Sequence, residues 1–363
     1  MSIAALRFSQ LLRLVILFFA ATCLLAAPHA DLACRSSAQD KPAGQSNSAD
    51  LARARQLLDQ GKTDDALALL TQISLREPKV PGLARDLGVA YYKKSDFAQA
   101  IPHLRQALDD DASNKEAAQL LGLSYYFTGE PAEAIPLLER AQSWVRVANV
   151  DALYVLGLCY ISTENYDAAR QTFAKMFDAS SDSAASYLFT GRMLVRQEIK
   201  PVAERYLQKA VALDPRLPMA HYLLGELYLS QSKTPEAIAA LQQEIAINPA
   251  FAGAYYTLAD AQARLEKYDD AQRLLQRSIW LDPTSTGPYI LLGQVLEKKG
   301  ETELAARTLQ RALTMDPNNP LPHYLLGQAY QRLGRKQDAD HEFQVSEQLR
   351  QRQAQPQKQT SHP

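Results

Sequence analysis

One alanine returns along this chain at a nearly constant interval. It stands at Ala66, Ala100, Ala134, Ala169, Ala203, Ala237, Ala271, Ala305 and Ala339, and every step is 34 residues except one of 35 between Ala134 and Ala169. A fixed period of this length means that each segment is one supersecondary unit, whose apolar face only a neighbouring unit can cover. Twelve residues before each alanine lies a second small residue: Gly88, Gly122, Gly157, Gly191, Gly225, Gly293 and Gly327, with Ala54 and Ala259 in the other two units. The glycines sit in runs such as Leu87-Gly88-Val89-Ala90-Tyr91 and Leu224-Gly225-Glu226-Leu227-Tyr228. Apolar residues at i, i+3, i+4 and i+7 make these runs helical. A glycine inside a helix costs about 1 kcal/mol relative to alanine. Its recurrence therefore predicts two antiparallel helices whose axes come to the short end of the usual spacing of about 8–10 Å.

The punctuation agrees with an all-α chain. Gly61, Gly129, Gly300 and Gly334 fall where a turn between two helices is needed. Pro78, Pro215, Pro249, Pro283 and Pro317 close second helices, because proline has no amide hydrogen to continue them. Asp214-Pro215, Asn248-Pro249, Asp282-Pro283 and Asp316-Pro317 are the recurrent exits.

Taken together, Leu-Gly-x-x-Tyr, the alanine, a bulky residue four on (Leu104, Leu138, Phe173, Leu207, Leu241, Leu275, Leu309 or Phe343) and the Asp-Pro exit resemble the tetratricopeptide repeat (TPR) family, over about residues 47 to 352. The resemblance implies a right-handed α-solenoid of about nine helix-turn-helix units, with a concave groove lined by the first helix of each pair. It also implies protein or peptide binding. The array is expected over residues 49–352, after a flexible tether at 31–48 and before a disordered tail at 353–363. The first unit lacks the glycine and the tyrosine, as a terminal repeat does. The third has Gln142-Ser143-Trp144-Val145 in place of an Asp-Pro exit, so its second helix is expected to run on and the pitch to change there. The last helix, from Lys336 towards Arg352, grows more polar and is expected to cap the stack.

In the family the fifth and ninth positions of each unit face the groove. The fifth positions here are Arg85, Gln119, Tyr154, Leu188, Tyr222, Tyr256, Ile290 and Tyr324; the ninth are Val89, Leu123, Leu158, Arg192, Glu226, Asp260, Gln294 and Gln328. Tyr154, Tyr222, Tyr256 and Tyr324 are the candidate ligand-binding stripe, since tyrosine gives large contact area for little lost rotamer freedom. Rings that mainly pack against neighbouring first helices are the other reading. Arg192, Glu226 and Asp260 are the candidate charges, and the two adjacent acids favour a partner with a basic residue flanked by apolar or proline residues. A solvated groove with incidental charges is the alternative. Val89, Leu123 and Leu158 lack the polar donors that a carboxylate clamp of the family would use.

Catalysis finds no support. No G-x-S-x-G, H-E-x-x-H, P-loop or dinucleotide glycine pattern is present. His221 and His323 sit in equivalent places three units apart, too far to share a metal, and each replaces the aromatic found there in other units (Tyr187, Tyr255, Tyr289). Cys159 lies in a Leu-Cys-Tyr run and reads as an inert buried thiol. No catalytic residue, metal ligand or cofactor is expected. A formal net charge of −1 gives no basic excess to hold a polyphosphate, so nucleic acid is a poor partner. The reading is a non-catalytic scaffold or adaptor. A regulatory or substrate-recruiting subunit of an enzyme complex is the alternative.

Residues 1–30 read differently. Arg7 and Arg13 precede an apolar run from Leu14 to Ala27, broken only by Thr22 and followed by Pro28-His29-Ala30. A charged lead, an apolar stretch of about 7–15 residues and a small-residue exit describe a secretory signal. The run is short of the roughly 18–20 residues that comfortably span a bilayer, though an uncleaved anchor reaching back to Leu11 stays open. So does acylation at Cys34, after Leu32-Ala33, with Asp31 where such signals want an aliphatic residue. Each version is expected to place the body outside the cytoplasm: bacterial periplasm, envelope-associated or secreted, with possible membrane attachment through the N-terminus.

Overall fold

A computed structural model describes residues 43–142 and 150–354. The chain divides into two compact units, residues 1–48 and 49–363. Of the first, only residues 43–48, the opening of a helix, are described. Among the described residues there are eighteen helices and no strand. They form consecutive pairs: Ala43–Asp59 (α1) with Thr63–Arg76 (α2), Leu83–Lys93 (α3) with Phe97–Asp110 (α4), and Lys115–Thr128 (α5) with Pro131–Gln142 (α6). Then come Val150–Ser162 (α7) with Tyr166–Met176 (α8), Ala184–Arg196 (α9) with Lys200–Leu213 (α10), and Ala220–Ser230 (α11) with Thr234–Ile247 (α12). The last are Ala252–Arg264 (α13) with Tyr268–Leu281 (α14), Thr286–Lys298 (α15) with Thr302–Met315 (α16), and Pro320–Arg332 (α17) with Lys336–Ala354 (α18). This is the expected all-α solenoid of paired helices.

The periodic small residues make the pairing. All nine repeat alanines are buried. Each of the seven repeat glycines faces the bulky residue of its partner helix: a Cβ at Gly88 would lie 2.5 Å from Leu104, and one at Gly225 2.6 Å from Leu241. The glycine is thus the socket for a leucine or phenylalanine knob, which offsets its poor helix propensity.

The turn inside each unit has one geometry. Gly61, Ser95, Gly129, Glu164, Glu198, Ser232, Glu266, Gly300 and Gly334 all take φ between 59° and 86°. In each, the left-handed residue donates its N–H to the carbonyl three back, and the next residue donates to the carbonyl five back, as in Gly61 to Leu58 and Lys62 to Leu57. This closes the orphan carbonyls of the first helix. The second helices stop before Pro78, Pro215, Pro249, Pro283 and Pro317, as read from the sequence.

Three boundaries differ from expectation or fall outside view. Helix α1 begins at Ala43, inside the tether expected at 31–48. Once Leu51, Ala54 and Leu58 are buried, elongation through Gln45–Ser48 needs no new nucleus. Helix α18 ends at Ala354, two residues past the expected limit, with Ala339, Ser346 and Leu349 buried and most of its other residues exposed. The run-on expected after Gln142 falls on residues 143–149, outside the described residues, as do the N-terminal segment 1–30, most of the tether and residues 355–363 of the tail. No helix of the described residues is long and apolar enough to cross a membrane.

Candidate functional site

Consecutive first helices touch along most of the array, as α5 does α7 and α13 does α15, while consecutive second helices do not approach one another in this way. The first helices therefore share one face, on which the fifth positions lie. Each fifth-position tyrosine up to Tyr256 reaches over the next unit. The Tyr154 hydroxyl lies 3.6 Å from the Met193 sulfur of α9. The Tyr222 ring meets Phe251, just before α13, edge-on at 4.9 Å. Tyr256 lies against Gly287 of α15, where a Cβ would be 3.5 Å from its ring. Among the described residues no first helix follows Tyr324; it is 38% exposed, with the Arg350 guanidinium of α18 5.1 Å above its ring. Tyr154, Tyr222 and Tyr256 are only half-buried. They both join neighbouring units and leave an edge to solvent, so the two readings of the stripe are not exclusive.

The charges are more self-contained than their sequence spacing implied. The Tyr222 hydroxyl donates to Glu226 Oε1 at 2.6 Å. Burial first, and then this bond, push the Tyr222 pKa up to about 12. Asp260 pairs with Arg264 one turn on in α13, at 2.8 Å. Burial and the nearby Asp260 also raise the Tyr256 pKa. Glu226 and Asp260 thus have partners of their own, and no external cation is required to hold them side by side. Arg192 is exposed and enters no ion pair among the described residues. At the N-terminal end, Asp86 is 2% exposed and held by Arg55 at 2.7 Å and Arg85 at 2.6 Å. Val89, Leu123 and Leu158 are buried between first helices and contribute packing.

The histidines have a structural role. His221 Nε2 lies 3.1 Å from the Pro215 carbonyl oxygen and His323 Nε2 3.0 Å from that of Pro317. Tyr255 and Tyr289 donate from their hydroxyls to the carbonyls of Pro249 and Pro283 in the same way. The fourth position of these units therefore ties the first helix to the preceding exit turn, and either ring can do it. Cys159 is buried, and burial pushes its thiol up to about 12. No group of three or more His, Cys, Asp or Glu side chains that could hold a metal occurs among the described residues.

Two cavities of about 360 Å³ lie elsewhere, between successive second helices: one beside Tyr187, Arg205 and Tyr206, the other beside Tyr289, Arg307 and Arg311. Sequence reasoning passed over them. The available signal was a tyrosine at the fourth position followed eighteen residues later by an arginine.

Residues 51–115 match the family described as tetratricopeptide repeat, and residues 298–334 that described as TPR repeat. Residues 93–176 and 201–278 match that described as anaphase-promoting complex, cyclosome, subunit 3. Among curated proteins, the BBSome complex member BBS4 homolog of Drosophila melanogaster is 27% identical over 131 residues, 36% of this chain. The chain spans only 20% of that relative's length. A crystal structure of MamA is 24% identical with a TM-score of 0.43, over 45% of this chain and 96% of that one. A crystal structure of the APC/C hetero-tetramer Cut9-Hcn1 is 19% identical with a TM-score of 0.43, over 79% of this chain and 57% of that one. The structure of YrrB, a TPR protein with an unusual peptide-binding site, is 20% identical with a TM-score of 0.43, over 49% of this chain and 92% of that one. With its period, its glycine sockets, its left-handed turns and the repeat family models it matches, the chain belongs to the tetratricopeptide repeat family.

Proposed function

We propose that this protein is a non-catalytic interaction scaffold that holds a partner segment along the face shared by its first helices. The observation that carries this reading is the row of half-exposed tyrosines on that face, Tyr154, Tyr222 and Tyr256, ending in the exposed Tyr324. Rings already fixed by the next unit lose little freedom when a ligand covers them. Arg192 is the open charge between Tyr154 and Tyr222, so a segment with apolar side chains and a carboxylate at that point suits the surface. Two matches agree with a role in assemblies: part of the chain resembles a BBSome member homolog, and residues 93–176 and 201–278 the anaphase-promoting complex subunit family.

We further propose that the scaffold works outside the cytoplasm, in the cell envelope. The support is the apolar run from Leu14 to Ala27 behind Arg7 and Arg13. Alkaline phosphatase fused after residue 48 should be active in a bacterial host, and an inactive fusion would remove the location.

For the binding face, a photo-crosslinking residue at Tyr222 in intact cells should capture one dominant protein. The same probe at the exposed outer position Gln243 should not capture it, and Arg192→Glu should reduce its yield. Equal capture at both positions would rule this face out.

A further inference from the structure

The two cavities between second helices occupy related places in the repeat. Tyr289, Arg307 and Thr308 of one each lie three units after Tyr187, Arg205 and Tyr206 of the other. Their chemistry is opposite. The earlier cavity is lined by Glu164 and Asp167 as well as Arg205, and the Tyr206 hydroxyl donates to Asp167 at 3.1 Å. Asp167 also pairs with Arg170 at 3.5 Å, so this lining carries acidic as well as basic groups.

The later cavity, between α14 and α16 over α15, has no carboxylate in its lining. Ile279, Tyr289 and Leu292 make an apolar floor, and Gln276, Thr308, Arg307 and Arg311 make the walls. Arg307 has one acidic neighbour, Glu303, at 3.5 Å on its own exposed helix face. Arg311 is exposed and has no ion pair among the described residues. Arg277 and Trp280 of α14 lie outside this lining, with the Arg277 guanidinium turned towards Tyr255 of α13, so the charge at this cleft comes from Arg307 and Arg311. The rim thus carries positive charge around an apolar recess about 360 Å³ in volume.

We infer that this cleft is a second docking site, on the side away from the first-helix face, for an acidic protein segment that inserts one large apolar side chain between flanking carboxylates. The recess has the volume for a leucyl or aromatic side chain. A purely apolar ligand would cover the Arg311 guanidinium without compensating it, which is unfavourable. A basic ligand is repelled. Carboxylates on either side of the inserted residue meet Arg307 and Arg311, where bidentate pairing is available. Gln276 and Thr308 can bond the segment's backbone. A flat anionic membrane would leave the recess unfilled.

The probe is a fluorescein-labelled peptide with one leucine flanked by two aspartates on each side, titrated with the full chain and read by anisotropy. Binding should saturate, weaken as salt rises, and fall about tenfold, equivalent to about 1.4 kcal/mol, in Arg311→Glu. A peptide with lysines for the aspartates, or serine for the leucine, should lose it as well. Arg205→Glu in the carboxylate-lined cleft and Tyr222→Ala on the first-helix face should leave it unchanged, which separates this site from the one proposed above. Arg311 is exposed, so an unchanged circular dichroism melt can confirm that its variant is folded. Absence of saturable binding, or equal binding to Arg311→Glu, would overturn the assignment. Two further results would also overturn it. One is binding to phosphatidylglycerol vesicles that depends on Arg277 and Trp280 while the peptide does not bind. The other is a concentration-dependent dimer abolished by Arg311→Glu.

Discussion

Gly225 and Leu241 fit so closely that a single methyl group does not go between them: a Cβ at Gly225 would sit 2.6 Å from Leu241 Cγ. Leu241 is fully buried, so it cannot swing out to solvent to make room. Alanine at position 225 gains about 1 kcal/mol of helix propensity but meets an overpacking penalty of about 1–3 kcal/mol. Gly225→Ala should therefore lower the urea midpoint modestly and Gly225→Val severely. Leu241→Ala alone should cost about 2–5 kcal/mol as a cavity. The double variant Gly225→Ala with Leu241→Ala should be more stable than the sum of the two singles, because the new methyl enters the new space. Additive losses would show that the two residues do not share the socket.

The nine left-handed turns divide into four glycines and five side-chain-bearing residues in one geometry. A non-glycine residue there is strained by about 1–2 kcal/mol, and glycine recovers this less its larger unfolded-state entropy, about 0.4–1 kcal/mol. Glu266→Gly should therefore stabilise the array by about 0.5–1 kcal/mol, and Gly300→Glu should destabilise it by a similar amount. Thermal melts of the two variants test this together; a shift of the same sign in both would refute it.

Those turns also show where the sequence was readable. Gly61, Gly129, Gly300 and Gly334 signal a turn by themselves, while Ser95, Glu164, Glu198, Ser232 and Glu266 do not, because nothing local in serine or glutamate demands a positive φ. Only the period betrays them. The helix pairs were legible for the same reason, since glycine, alanine and proline act through backbone and volume. The candidate site was legible in part. The Asp260–Arg264 pair follows from i,i+4 spacing and could have been read directly. The meeting of Tyr222 with Phe251 depends on how one unit sits on the next, which spacing within a unit does not carry. The cleft over Tyr289 depends in the same way on the gap between α14 and α16.

Tyr222 makes the stability of the array depend on alkaline pH. Its folded pKa, about 12, lies above the value of about 10 for an unfolded tyrosine, so the fold favours the protonated phenol. Its contribution is complete below about pH 10 and is lost as pH rises towards 12. Tyr222→Phe cannot ionise. The gap in urea midpoint between wild type and Tyr222→Phe should shift against wild type between pH 9.5 and pH 11.5. A constant gap would mean that the phenol is not held as described.

Exchanging the two rings at the fourth position should be nearly silent. His221 and Tyr255 bond the same kind of carbonyl, Pro215 and Pro249, from equivalent places. His221→Tyr should leave stability unchanged, whereas His221→Phe should lose about 0.5–1.5 kcal/mol with the hydrogen bond. Equal stability of the two variants would remove the tie to the exit turn.

Among the units with a tyrosine or histidine at the fourth position, one lacks that tie and uses an arginine instead. Tyr187 holds the fourth position of its unit, but the carbonyl six residues before it, that of Ser181, accepts from Arg170. Arg170 also donates to Asp182 at 2.8 Å, and its guanidinium lies 4.5 Å over the Tyr187 ring. Its side chain is only 8% exposed. The exit here has no proline, and Arg170 adds its bonds to those that Ser183 and Ser186 donate to the Ser180 carbonyl. Loss of a buried paired charge costs about 3–5 kcal/mol, but Asp182 is largely exposed and can be rehydrated, so Arg170→Ala should cost about 2 kcal/mol. Arg170→Lys should not restore it, since an ammonium can neither reach Asp167 through a second nitrogen while it holds Ser181 and Asp182 nor stack flat on Tyr187. Limited proteolysis at residues 177–183 should speed up in both variants before the rest of the array is cut. Protection of that turn in Arg170→Lys equal to wild type would reduce Arg170 to a simple point charge.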